Sequence, residues 1–218
     1  MFQDRIDAGR KLGDSLARFR SAGAVVLGLP RGGVIVAAEV ARALGAPLDI
    51  VVVRKIGSPQ QPELAIGAVV SGGQAFIDHD LVRRLDVSHD YLQAETRRQL
   101  DEISRREILY RGGKPGLTVA GKTAIVVDDG VATGATTRIA LRAVRAMSPS
   151  WLVLAVPVGA PETLESLAAE ADEVVALEAP RDFRAVGQWY ADFEQTPDEE
   201  VVRVLQETQR TEPEGAVD

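Results

Sequence analysis

Short, nearly uninterrupted apolar runs, each followed by a turn and then a helix-like stretch, constrain this chain more than any other feature. The clearest are Ala24-Val25-Val26-Leu27-Gly28-Leu29, Leu48-Asp49-Ile50-Val51-Val52-Val53, the segment from Lys122 to Asp128, and the segment from Trp151 to Val156. A strand with one wet face alternates polar and apolar residues, whereas a strand apolar throughout needs cover on both faces. Between these runs lie stretches with helical character at 34–44, 136–147 and 161–169; the first is apolar nearly all round and is stopped by Gly45-Ala46-Pro47. Strand and helix alternating in this way predict an α/β fold with a mainly parallel central sheet and helices on both faces.

The remaining segments fill in around that core. Residues 4–20 read as an amphipathic opening helix, and 65–70 with 74–77 as a hairpin around Ser71-Gly72-Gly73. A charged helical stretch covers 79–111, with a thin apolar stripe at Leu92, Leu100 and Ile103. Strand 48–53 is expected to end at Arg54-Lys55. A final strand at 173–177, an aromatic-rich stretch and a helix at 197–209 precede residues 211–218, read as a disordered tail.

Composition narrows the chemistry. The formal charge of −7 argues against a nucleic-acid or anionic-membrane surface. With no cysteine there is no disulfide, thiolate nucleophile or cysteine metal site. His79 and His89 are the only histidines, and neither has a helical partner at metal-ligand spacing. Residues 1–5 lack the start of a signal peptide, and no apolar run approaches the roughly 18 residues of a membrane span. A cytoplasmic protein is the expectation.

In an open parallel sheet, ligands bind beyond the carboxyl ends of the strands, so residues just after strands carry most information. The strand Ala124-Ile125-Val126-Val127 delivers Asp128 and Asp129, then Gly130-Val131-Ala132-Thr133-Gly134-Ala135-Thr136 and a helix start. Successive backbone N–H groups of such a turn and the positive helix end suit a phosphate, with Thr133 and Thr136 adding hydroxyls. The aspartates would repel a phosphate, but they can accept from vicinal sugar hydroxyls or hold a hydrated Mg2+. Side by side, the two halves describe a ribose 5-phosphate site. A capped strand-to-helix turn with solvated aspartates is the plainer alternative; for a lone Asp-Asp pair it would prevail.

This segment resembles the phosphoribosyl pyrophosphate loop of type I phosphoribosyltransferases, and the resemblance spans roughly residues 20–210. It is closest to a bacterial subgroup of the family whose acceptor is not established. Gly130 departs from the family pattern, which has an aliphatic residue there, and suggests a looser turn. Ala132 stands where enzymes acting on 6-oxopurines carry aspartate, which argues against a hypoxanthine or guanine acceptor. The resemblance implies a core at 20–178 with a mobile or inserted region at about 56–117, and a hood with flanking helices at 1–19 and 179–210.

Leu29-Pro30-Arg31-Gly32-Gly33 resembles the family's pyrophosphate loop, which often contains a non-proline cis peptide bond; Pro30, Arg31, Gly32 and Gly33 are the expected contacts. Arg54 and Lys55 are expected to meet the same pyrophosphate from the end of the second strand, with a solvated strand end as the rival. Phe183 and Trp189 lie where the hood would be, able either to stack on a flat acceptor ring or to pack in a core. Residues 78–116 hold eight basic and eight acidic residues, which fits a solvated helix better than a phosphate-binding cluster. Gly116 to Thr123 matches the nucleotide-triphosphatase pattern G-x-x-x-x-G-K-T, but a strand rather than a helix follows, so the match is read as accidental.

The resemblance implies an enzyme using Mg-bound phosphoribosyl pyrophosphate to ribosylate a nitrogenous base or related amine, with release of pyrophosphate. No general acid or base is identifiable. A regulator that binds the same donor without reacting it is the second reading, and self-association is left open.

Overall fold

The computed structural model describes residues 1–210, and the expected tail at 211–218 lies outside them. Five strands, β1 Val25–Gly28, β2 Leu48–Ile50, β6 Thr123–Val127, β7 Trp151–Val158 and β8 Glu173–Glu178, make one parallel sheet in the order β2-β1-β6-β7-β8. Helices α1 Arg5–Ser15, α2 Gly32–Leu44 and α7 Asp198–Arg210 pack on one face, and α5 Ala135–Ala146 and α6 Pro161–Leu167 on the other.

Strand geometry accounts for the two cores, because successive side chains point to opposite faces. Val26, Ile125, Val127, Val153 and Ala155 face α1, α2 and α7, while Val25, Leu27, Val126, Leu154 and Val156 face α5 and α6. All ten are buried, which is why the strands read as apolar throughout. Each side chain buried this fully contributes about 1.5 to 3 kcal/mol for the larger residues.

The strand order also fixes where a ligand can enter. From β1 the chain crosses over to β2 on one side, and from β6 it crosses to β7 on the other. The helices that follow β1 and β6 therefore lie on opposite faces, and a crevice opens between the two strand tips. Leu29 N–H donates to the Val127 carbonyl at 2.9 Å, so the strands stay paired up to that crevice.

Some expectations need correction. The run 48–53 is not one strand: β2 ends at Ile50, and β3 Val53–Gly57 belongs to a separate antiparallel sheet with β4 Ala65–Val70 and β5 Ala75–Ile77. At the break Val52 donates to Ser71 Oγ at 2.8 Å and its carbonyl accepts from Ser71 N–H at 2.9 Å, which satisfies its backbone outside the parallel ladder. The stretch 79–111 is likewise two helices, α3 His79–Arg84 and α4 His89–Arg111. Asp78 caps the first and Ser88 the second, with Asp86 at φ 49° between them. The opening helix is also shorter than expected, ending at Ser15 before a 3-10 turn at Ala17–Phe19. After Gly116 to Thr123 the chain continues as β6, so the triphosphatase-like pattern has no helix to complete it.

Candidate functional site

Both glycine-containing turns emerge at the crevice between β1 and β6. Pro30 to Gly33 leave the tip of β1 and enter α2; Asp128 to Thr136 leave the tip of β6 and enter α5. The peptide bond between Pro30 and Arg31 is cis. The two turns lie against one another: a Cβ on Gly32 would fall 2.0 Å from Asp129 Oδ2, and one on Gly33 would fall 2.9 Å from the Asp128 Cα. Only glycine lets the turns approach this closely.

Asp128 is half-buried at the strand tip, and its Oδ1 accepts from Asp129 N–H at 2.9 Å. Burial first, and then the neighbouring Asp129 carboxylate, push the Asp128 carboxyl well above its ordinary value. Asp129 is held more firmly. Its Oδ2 accepts from Arg5 Nε at 2.8 Å, and its backbone carbonyl accepts from the Tyr190 hydroxyl at 2.5 Å.

Beyond the acids, Val131 is buried and pairs with Gly159, which anchors the turn to the end of β7. Ala132, Thr133, Ala135 and Thr136 are all exposed. Gly134 adopts the left-handed conformation, φ 71°, just before α5, and Thr163 Oγ1 donates to the Ala132 carbonyl at 2.8 Å. The turn is therefore tied down at its ends while its middle, with two threonine side chains and the first amides of α5, faces solvent. The leading amides of a helix have no partner within it, and together with the helix dipole they favour an anion.

The expected residues fall into three groups. Asp128, Asp129, residues 131–136 and the turn 30–33 are brought together. Arg31 stands at the rim, one-third exposed, with Nη1 3.9 Å from Asp198 Oδ1; that same oxygen accepts from the Tyr110 hydroxyl at 2.6 Å. Burial and the Asp198 carboxylate push the Tyr110 hydroxyl up to about 12, so it remains a donor at neutral pH. Arg54 and Lys55 form the second group. They lie in β3 of the antiparallel sheet, not at a parallel strand end, where Arg54 donates to Gln99 Oε1 at 3.0 Å and Lys55 pairs with Glu63 at 2.6 Å. Phe183 and Trp189 form the third. Both pack against the apolar cluster of Phe2, Val158 and Tyr190, and the Trp189 indole N–H is buried without a hydrogen-bond partner among the described residues.

Gly130 is also explained. A Cβ there would meet Val186 Cγ1 at 2.5 Å and Val158 Cγ1 at 3.2 Å, so the space of an aliphatic side chain is taken by Val186 of the segment above. The turn is filled from outside rather than loosened. Arg5, Tyr190 and Asp198 were not singled out from the sequence; they come from distant segments, and nothing in their local pattern marks the contacts of Arg5 and Tyr190 with Asp129 or of Asp198 with Arg31.

The donor set suits a hard cation: carboxylates of Asp128 and Asp129, with exposed hydroxyls and amides nearby to hold phosphate oxygens. Mg2+ is commonly held by one or two carboxylates together with substrate phosphates, and the residues present fit that pattern.

Comparison with known proteins agrees with this architecture. The model of the phosphoribosyl transferase domain family matches residues 4–194. Two Mycobacterium tuberculosis proteins, from strains CDC 1551 and H37Rv and provisionally named phosphoribosyl transferases, are each 47% identical over 219 residues. The alignment covers 100% of this chain and 49% of each of theirs, so the chain spans about half the length of the curated relatives it matches. The crystal structure of TT1426 from Thermus thermophilus superimposes with a TM-score of 0.82 at 47% identity, covering 94% of this chain and 98% of that one. By fold, strand-tip geometry and sequence, the chain belongs to the phosphoribosyl transferase domain family.

Proposed function

We propose that the chain transfers a phosphoribosyl group from Mg-bound phosphoribosyl pyrophosphate to a nitrogenous acceptor and releases pyrophosphate. One observation carries this reading: an exposed amide- and hydroxyl-rich turn opens directly beside a carboxylate pair at the topological switch point. A phosphate alone would not call for the carboxylates, and a cation alone would not call for the turn.

In this reading residues 132–136 take the 5-phosphate, with Thr133 and Thr136 donating hydroxyls and α5 supplying its N-terminal amides. Asp128 and Asp129 accept from the ribose 2- and 3-hydroxyls and orient the sugar. The turn 30–33 lies against the acids and takes the pyrophosphate, with Arg31 offering its guanidinium from the rim. Arg54 and Lys55 lie in the antiparallel sheet, and their pairing with Gln99 and Glu63 argues for a lesser part at the pyrophosphate. When bound, Mg2+ neutralises the pyrophosphate and makes it a better leaving group.

The acceptor nitrogen attacks the anomeric carbon as the bond to pyrophosphate breaks. Charge stabilisation and positioning by the two turns supply most of the catalysis. The segment 183–193 stands over the acids through Val186 and Tyr190, and with residues 1–19 forms the hood. Phe183 and Trp189 build its apolar wall and favour a flat acceptor, and Ala132 offers no carboxylate to read a 6-oxopurine. No described helix is long and apolar enough to cross a membrane.

The test is pyrophosphate release from the Mg-bound donor across a panel of purines, pyrimidines and related amines. Release with one of them is expected. Donor binding with no release on any acceptor would favour a non-catalytic sensor of phosphoribosyl pyrophosphate.

A further inference from the structure

The sugar-binding acids are reached by a residue from the start of the chain. Arg5 opens α1, which runs alongside α2 in the same direction. Gly9 lies over Val36, where a Cβ would fall 2.7 Å from the Val36 carbonyl oxygen, and Gly13 over Ala43, where a Cβ would fall 2.6 Å from the Ala43 Cβ. Arg5, Gly9 and Gly13 recur every four residues and so share one face of α1. The glycines seat that face directly on α2 and carry Arg5 to the turn where α2 begins, next to Gly32 and Asp129.

At that point Arg5 makes three contacts at once. Its Nε donates to Asp129 Oδ2 at 2.8 Å, its Nη1 donates to the Glu194 carbonyl at 2.7 Å, and its guanidinium lies 4.0 Å from the Phe193 ring centroid. Phe193 stacks at a tilt on Tyr190, centroids 4.9 Å apart, and the Tyr190 hydroxyl holds the other end of Asp129. The side chains of Arg5 and Asp129 are only 13% and 17% exposed, so the pair is shielded from solvent. A carboxylate has about four acceptor positions, so one contact with Arg5 leaves room for hydroxyls.

We propose that Arg5 is a positioning residue of the sugar site: α1 and the segment 190–194 clamp Asp129 from both ends, so that its carboxylate is preset to accept from the ribose hydroxyls. The inference rests on the donor-site reading above. It assigns to the N-terminal helix a part in selecting ribose. Asp128, to which no arginine donates among the described residues, depends on the same clamp through its neighbour. A lysine could supply the charge but not the fork, because one ammonium cannot donate along two fixed directions while lying flat on Phe193.

The test is calorimetry of the full chain with Mg2+ and three probes: ribose 5-phosphate, 2-deoxyribose 5-phosphate and inorganic phosphate. Wild type should prefer ribose 5-phosphate to its deoxy analogue. In Arg5→Ala, affinity for ribose 5-phosphate should fall about 10- to 100-fold, the range typical for loss of a supporting contact. Preference over the deoxy sugar should shrink with it, while inorganic phosphate, held by the turn 132–136, binds as before. Arg5→Lys should fall between the two, and it carries the same comparison if the alanine variant does not fold. Undiminished sugar preference in either variant would overturn the proposal. So would an equal loss for all three probes with a lowered Tm, which would mean that Arg5 only holds α1 in place. Tighter sugar binding in Arg5→Ala would also overturn it, by showing that Arg5 obstructs the ligand. Failure of wild type to bind ribose 5-phosphate is a different result: it would remove the donor-site reading and the inference together.

Discussion

Asp49 and Asp128 are both aspartates shielded by the same sheet, yet the structure treats them in opposite ways. Asp49, on β2, is 6% exposed and fully met: Arg111 donates to its two oxygens at 2.8 and 3.2 Å, and the amides of Ile50 and Leu117 donate at 2.8 and 2.7 Å. Asp128, at the tip of β6, receives one amide and faces another carboxylate. A buried carboxylate with four donors belongs to the framework; one left short of donors among the described residues, beside a like charge, stands where the proposed site needs a ligand contact. The contrast supports the proposed site independently of the loop sequence.

Removing the framework acid should cost most. Asp49→Asn leaves the buried Arg111 guanidinium with Glu107, 2.7 Å from Nη1, as its remaining carboxylate partner among the described residues, and a loss of about 3 kcal/mol in unfolding free energy, the low end for breaking a buried pair, is expected from chemical denaturation. A value within experimental error of wild type would break the comparison.

Asp128→Asn should act in the other direction on stability. The folded-state value of Asp128 is raised above its ordinary 3.8, so the folded chain binds the proton more tightly than the unfolded one. Its contribution is fully present below 3.8 and is lost as pH rises through the raised folded value, so the wild type is penalised at neutral pH. The variant should therefore melt higher than wild type at neutral pH, by about 2 to 4 °C for each kcal/mol regained. The advantage should vanish on acidification below the ordinary value. A variant less stable than wild type at neutral pH would show that Asp128 is better satisfied than its neighbours indicate.

Glu102 sharpens the contrast from the solvent side. Hydrogen bonds from Arg105 and then Arg106 hold its carboxyl down to about 2, but the group stands on the open face of α4. Its stabilisation is present above the ordinary 4.5 and is lost as pH falls toward about 2. Glu102→Gln should cost only about 0.5 kcal/mol at neutral pH, because exposed ion pairs contribute little. A loss as large as that of Asp49→Asn would mean that donor count alone, not burial, sets the scale.

The parallel core was legible because burial on both faces leaves an apolar signature at every position, as in Val25 to Leu27 and Ala124 to Val127. The same signature concealed the break at Val51-Val52: Ile50 to Val53 runs apolar without interruption, and only Ser71, nineteen residues on, shows where the ladder ends. The exposed turn proposed to take phosphate was legible because Thr133-Gly134-Ala135-Thr136 concentrates amides, hydroxyls and a left-handed glycine in one local segment. Gly130 was misread as looseness, since the filling side chain, Val186, arrives from a distant segment. Arg5 escaped notice for the same reason. A helix-opening arginine is ordinary in sequence, and only the parallel seating of α1 on α2 through Gly9 and Gly13 brings it to Asp129.

The central claim is that the carboxylate pair grips sugar hydroxyls while the adjoining turn holds phosphate. Calorimetric titration of Mg2+ and phosphoribosyl pyrophosphate into wild type and the Asp128→Asn, Asp129→Asn double variant tests it most directly. Each hydrogen bond to a charged group contributes about 1.5 to 3 kcal/mol, so the double variant should lose about 3 kcal/mol or more in donor binding, over 100-fold in affinity. Donor affinity equal to that of wild type in the folded double variant would contradict the account.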